Sequence, residues 1–158
     1  MLGATQQNFN IENVTAVDVD LEISSIISST GAGIVKTGTG LLKLSGTNSY
    51  TGATQLNAGV IEAGSLANLS TASTSIIFNG GTLRWATGSS FDVSARSTTF
   101  TGAATFNTNG NNVTLASSVG QRRRRRPDEN RLRHARPQHS FATELHGRND
   151  DHSRDARL

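Results

Sequence analysis

The chain has 158 residues, a net charge of +3, one tryptophan, one tyrosine and no cysteine. That length fits one domain of ordinary size, and the missing cysteine excludes a disulfide framework and thiolate metal sites. The charge is uneven: residues 1–120 hold Lys36, Lys43, Arg84 and Arg96 against six carboxylates, while the last 38 residues hold 11 arginines against six carboxylates.

The basic balance is therefore a property of residues 121–158, which also hold all four histidines and both prolines. The opening Met1-Leu2-Gly3-Ala4-Thr5-Gln6-Gln7 has neither a basic n-region nor an apolar h-region, so no signal peptide is expected. No apolar run approaches transmembrane length. The sequence reads as a fragment of a larger protein.

Along residues 1–120 the apolar period is two. In Val17-Asp18-Val19-Asp20-Leu21-Glu22-Ile23 every apolar residue alternates with a carboxylate, which puts the two sets on opposite faces of a strand. Further strands are expected at Leu41–Leu44, Gln55–Glu62, Ser75–Phe78, Thr82–Trp85, Ser97–Phe100, Ala104–Asn107 and Asn112–Leu115. Between them stand Gly38-Thr39-Gly40, Gly46-Thr47-Asn48, Asn79-Gly80-Gly81 and Asn109-Gly110-Asn111. Such residues accept φ > 0 or bond their own backbone, and so turn the chain.

Many short strands with frequent turns suit a sandwich, a barrel or a solenoid. Thr51-Gly52-Ala53-Thr54-Gln55-Leu56-Asn57 recurs as Thr101-Gly102-Ala103-Ala104-Thr105-Phe106-Asn107, which favours the solenoid. Small side chains favour it too, because a sandwich must fill a gap of about 10 Å between sheets. Stacked coils hydrogen-bond to their neighbours, and the end coils expose edges.

Gly33-Ile34-Val35-Lys36-Thr37-Gly38-Thr39-Gly40-Leu41-Leu42-Lys43-Leu44-Ser45-Gly46-Thr47-Asn48-Ser49-Tyr50-Thr51-Gly52-Ala53-Thr54, continued by Asn57-Ala58-Gly59, resembles the autotransporter-associated β-strand repeat. Val35, Leu41 and Ala53 depart mildly from that pattern. The resemblance extends over about residues 30–120. It implies an all-β chain, a right-handed parallel β-helix (β-solenoid), within a large secreted or surface protein of a bacterium. The translocator barrel of an autotransporter is not among these residues, so no direct membrane insertion is expected.

Several side chains carry a possible chemistry. Asp18, Asp20 and Glu22 share a strand face on this reading and could ring a calcium ion, but no calcium-loop pattern accompanies them, and a solvated face is expected. Glu62 and Asp92 could form a glycosidase pair, yet no histidine stands near them in the body. Tyr50 and Trp85 are candidates for stacking on carbohydrate, with a packing role expected for Tyr50. Asn48, Asn57, Asn79, Asn107, Asn109 and Asn112 are expected to bond turn backbone, with a ladder between coils as one form this could take. No catalytic, cofactor-binding or metal-binding residue is assigned, and no enzyme activity or cofactor is expected.

Residues 121–158 form a second segment. Arg122–Arg126 could grip phosphates in a salt-sensitive way, but no aromatics interleave, and specific nucleic-acid binding is not expected. His134, His139, His146 and His152 fit no zinc spacing. Composition predicts a disordered basic tail. Permitted codons read one nucleotide out of frame turn Arg125–Ala135 into Gly-Gly-Leu-Thr-Lys-Thr-Gly-Ser-Gly-Thr-Leu, and Glu144–Asp151 into Asn-Tyr-Thr-Gly-Gly-Thr-Thr-Thr. Those are two halves of the same repeat, in order, so the tail reads as out-of-frame translation. The function expected is a structural, surface-display module, with further repeats of its parent and a host or environmental surface as partners. The alternatives are a carbohydrate-binding or carbohydrate-cleaving β-helix, and nucleic-acid binding through the tail.

Overall fold

A strand of three or four residues buries too little surface to stand alone and must pair along its edges. In the computed structural model, which describes residues 5–15 and 18–120, that pairing comes from segments one winding away. Ten short strands form: β1 Gln7–Asn10, β2 Leu21–Ile23, β3 Ile34–Thr37, β4 Leu41–Leu44, β5 Thr54–Leu56, β6 Val60–Ala63, β7 Ile76–Phe78, β8 Thr82–Trp85, β9 Thr98–Phe100 and β10 Thr105–Asn107. The odd strands make one five-stranded sheet and the even strands another, in chain order, and every pairing is parallel. Each coil after the first is an odd strand, a tight corner and an even strand, with a longer loop leading to the next coil; in the first, a longer excursion joins β1 to β2. The described residues are therefore a parallel β-solenoid.

The register sets the period. Ile34 lies beside Thr54, 20 positions on; Thr54 beside Ile76, 22 on; Ile76 beside Thr98, 22 on. The Thr51–Asn57 and Thr101–Asn107 likeness does not follow this period. Its first copy runs into β5 of the odd sheet and its second into β10 of the even sheet.

The alternation of side chains builds four inward columns. In the odd sheet they are Ile34, Thr54, Ile76 and Thr98, and Phe9, Lys36, Leu56, Phe78 and Phe100. In the even sheet they are Leu21, Leu42, Ile61, Leu83 and Phe106, and Ile23, Leu44, Ala63 and Trp85. Ile34, Leu42, Leu44, Leu56, Ile61, Ile76 and Leu83 are wholly buried, each contributing about 1.5–3 kcal/mol of transfer free energy. The core widens toward the C-terminal coils. There Phe78 packs on Phe106 at 5.1 Å and on Phe100 at 5.5 Å, and Trp85 stacks on Phe91 at 5.2 Å.

Leu41–Leu44 and Thr82–Trp85 match the expected strands, while other expectations need correction. Gln55–Glu62 is two strands in two sheets, split by a corner where Gly59 has φ 63°. Asn112–Leu115 forms no strand. The first alternating segment narrows to Leu21–Ile23, with Asp18 and Asp20 before it in bends, and Val17 lies outside the described residues. β1 and β3 were not expected. The tail expectations for 121–158, including disorder, the histidines and the frame reading, lie outside the described residues.

Stacked corners leave no room for side chains. A Cβ on Gly59 would strike the carbonyl oxygens of Gly38 and Gly40 in the preceding coil, whereas one on Gly88 (φ 79°) would meet nothing. Both positions carry the left-handed cost of about 1–2 kcal/mol for alanine, but only Gly59 adds a clash. Gly59→Ala should therefore lower the urea midpoint clearly more than Gly88→Ala. Equal losses would show that corner stacking does not constrain the fold.

Candidate functional site

Parallel strands satisfy their backbone through the neighbouring coils, but the corners and loops offer less regular pairing. Buried polar side chains complete it. Lys36 is fully buried, and its ammonium donates to the carbonyls of Thr37 at 2.5 Å and Gly38 at 2.9 Å, with Ile11 of the previous coil at 3.5 Å. Burial lowers its pKa, opposed by Glu12 and Asp20. Asn48 accepts from the Ile27 amide at 2.8 Å in the coil before and donates to the Asn68 carbonyl at 2.5 Å in the coil after. Asn68 returns a bond to the Gly46 carbonyl at 3.0 Å and accepts from the Gly64 and Ser65 amides. Three consecutive coils are thus joined through two asparagines.

Arg96 does the same work further along. Its guanidinium donates to the carbonyls of Leu66 at 2.8 Å and Ser70 at 2.5 Å and to the Thr74 hydroxyl at 2.9 Å, fastening the loop between β6 and β7. Tyr50 is wholly buried and shares a 2.7 Å hydrogen bond with the Thr54 hydroxyl; the Ser70 hydroxyl donates to the Tyr50 carbonyl. Among the described residues no buried side-chain nitrogen or oxygen lacks a partner.

Asp18, Asp20 and Glu22, which alternation placed on one strand face, are not brought together. Asp20 accepts from the Val14 and Leu41 amides, Asp18 pairs with Arg84 at 3.2 Å, and Glu22 pairs with Lys43 at 3.2 Å and Ser45 at 2.8 Å. Each carboxylate has its own partners, and no cluster of three possible ligands occurs among the described residues. Glu62 sits on β6 and is bound to Arg84 at 2.6 Å. Asp92 is not on a strand. It caps the short 3-10 turn Val93–Ala95 by accepting from Ser94, and it also accepts from the Ala116 amide.

Donated hydrogen bonds hold Asp20, Glu22 and Asp92 below their ordinary pKa: the Leu41 and Val14 amides at Asp20, Ser45 and Lys43 at Glu22, and Ser94 and Ala116 at Asp92. A general acid needs the opposite displacement. On the outer face of the even sheet, Glu22, Lys43, Glu62 and Arg84 are successive neighbours. The sign alternates at every coil.

Trp85, 1% exposed, donates to the Phe91 carbonyl at 2.9 Å, so neither it nor Tyr50 offers a ring to a carbohydrate. Of the six expected asparagines, Asn48 joins coils, Asn107 accepts from the Asn109 amide in its own turn, and Asn109 reaches the Thr87 hydroxyl at 3.4 Å. Asn57, Asn79 and Asn112 form no comparable side-chain link. The reading of the sequence missed Asn68, Arg96 and Asn111, the last donating to the Ala86 carbonyl at 2.9 Å. Arg96 had a usable signal, as the one charged residue between Asp92 and Gly120.

Residues 34–63 match the family model described as the passenger-associated-transport-repeat. That span is β3 to β6, two whole strand pairs, and it agrees with the resemblance to the autotransporter-associated repeat. The chain carries a passenger-type repeat. Comparison with curated proteins and with solved structures found no match.

Burial pushes the Tyr50 phenol up to about 12 from 10.0. The folded chain thus keeps a proton that the unfolded chain releases. This contribution is complete below about pH 10 and is lost as pH rises to about 12, on the order of 3 kcal/mol. The lowered Lys36 acts in the opposite sense over part of that range, in wild type and variant alike. Tyr50→Phe should therefore be weaker by about 1 kcal/mol at neutral pH and show a smaller alkaline loss. Urea midpoints between about pH 9 and 12 test this; parallel losses would rule Tyr50 out as the source.

Proposed function

We propose that the chain is a structural and surface-display module: a stretch of β-solenoid spacer in a passenger exported by a bacterium. The observation that carries this reading is the use made of the repeat residues. Lys36, Gly38, Asn48, Tyr50, Thr54 and Gly59 all lie within the matched span and all close corners or join coils. None is left over for a ligand. Such a module lengthens by adding coils, each contributing its own stability and one interface.

Its parent is secreted or held at the cell surface, and its partners are further repeats of that parent and the host or environmental surface that the parent meets. The module does not itself insert into a membrane; among the described residues no helix is long and apolar enough to cross one. It is not an enzyme and takes no cofactor.

The test places residues 1–120 between an export leader and a translocator barrel, and reads surface exposure by added protease in intact cells. Display should be retained, and Gly59→Ala should reduce it through the corner clash. Retention of the segment inside the cell, irrespective of stability, would defeat the proposal. A polysaccharide panel should show no turnover; turnover abolished by Asp92→Asn or Glu62→Gln would make the chain a hydrolase.

A further inference from the structure

Two residues other than glycine hold a positive φ among the described residues, Asn109 at 52° and Ser70 at 80°. Asparagine tolerates the left-handed region through its short polar side chain. Ser70 joins its φ of 80° to a ψ of −162°, a combination that is essentially glycine's own. A glycine would sit here without strain, yet a serine does, 2% exposed and directly after the wholly buried Leu69. We propose that the chain cuts itself once between Leu69 and Ser70, with the Ser70 hydroxyl as the nucleophile.

The backbone conformation is what lets that hydroxyl reach. At ordinary negative φ the Cβ points away from the preceding carbonyl carbon, and the hydroxyl cannot come near it. At φ 80° the Cβ swings to the same side as the Leu69 carbonyl carbon. A ring of Oγ, Cβ, Cα, N and that carbon can then close, once the hydroxyl turns from its present acceptor, the Tyr50 carbonyl. Strain held beside the bond is released when the bond breaks.

The surroundings of the Leu69 carbonyl oxygen suit a developing negative charge. Arg96 Nη1 stands 3.5 Å from it, Thr54 Oγ1 3.4 Å and Thr74 Oγ1 3.5 Å. Those contacts are long for a resting carbonyl. Donors that close on the oxygen only as charge forms stabilise the transition state more than the ground state. The Tyr50 hydroxyl, 2.7 Å from Thr54 Oγ1, holds that group from behind. Arg96 is 7% exposed, and among the described residues no carboxylate pairs with it. Its charge falls on the Leu66, Leu69 and Ser70 carbonyls instead.

Water is the only co-reactant. Ser70 Oγ bonds to the Leu69 carbonyl carbon and its proton passes to the Ser70 nitrogen as the carbon–nitrogen bond breaks, leaving an ester. Water then adds to the ester carbon, and Oγ leaves as the serine hydroxyl. The products are a carboxylate on Leu69 and a free amine on Ser70. The chain is consumed once and turns over no other substrate. The cut falls between β6 and β7, where the β5–β7 and β6–β8 ladders still join the two pieces.

The test keeps the full chain folded at neutral pH, samples it over days, and reads denatured samples by mass spectrometry and N-terminal sequencing. Two pieces should accumulate, one ending at Leu69 and one beginning at Ser70, at a rate independent of protein concentration. Ser70→Gly accepts the same φ without a hydroxyl, and should stay whole with an unchanged circular dichroism spectrum. Ser70→Cys should also cut, through a thioester, and faster when a small thiol is added. Arg96→Gln should slow the cut on the order of a hundredfold, scored on the fraction that remains folded. A wild type that stays whole, a Ser70→Gly chain cut at the same bond, or a rate that rises with protein concentration would each overturn the proposal. A chain that is displayed on cells yet never cut loses this inference and keeps the spacer reading.

Discussion

Everything in this structure follows from one constraint: each coil obtains its backbone hydrogen bonds from the coils beside it. Strands of three or four residues bury little by themselves, so their stability is borrowed from the ladder. The ladder is regular only where the backbone is extended. At each corner and loop the chain turns, and amides and carbonyls point into the stack with no strand opposite. An unpaired buried group there costs about 1–3 kcal/mol. Lys36, Asn48, Asn68 and Arg96 are the answer to that cost: Lys36 bonds carbonyls of its own corner and reaches Ile11 of the previous coil, and the other three bond backbone one coil away. A solenoid interior is apolar between its sheets and polar at its corners.

This explains why the repeat residues are of these kinds. Lysine supplies three donors to a ring of carbonyls, which no apolar residue of similar length could do. Asparagine carries a donor and an acceptor on one rigid group, so Asn48 can bond the coil before and the coil after at once. Glycine appears where successive corners approach each other, as at Gly59, with no space for a Cβ. The two-residue spacing of the motif places these groups along one continuous winding.

The fold class was legible because alternation is a property of strands wherever they pair. Its details were less so. β1 (Gln7-Asn8-Phe9-Asn10) escaped notice because only one of its four residues is apolar. β3 escaped because Lys36 occupies an inward position that hydrophobic patterning assigns to an aliphatic residue. Gln55–Glu62 looked like one strand because Leu56 and Val60 flank the corner, and the turn at Asn57-Ala58-Gly59 is only three residues long. The carboxylates of Asp18 and Asp20 alternate in sequence without sharing a strand, so period alone assigned them one face. The joining role of Asn68 had no local signal, because Gly46 and Asn48, the partners through which it joins coils, lie about one coil away in sequence.

Length variation shows where such a module can change. The corners after β3, β5 and β7 span three residues each, and beyond the first coil the period between paired strands stays within 19 to 23. The first coil departs: Gln7 pairs with Ile34, 27 positions on, and the extra chain lies between β1 and β2, where a tight corner would otherwise stand. The stack absorbs this excursion with its ladder intact. Ile11 still donates to Thr37, Asp20 binds the Leu41 amide, and Asp18 reaches Arg84 three even strands along from β2. An excursion at a corner costs loop entropy that grows only slowly with length, whereas a residue added within a strand would turn its inward columns outward. Variation in what such a solenoid presents therefore belongs to its corners, while its strands stay committed to the coils on either side.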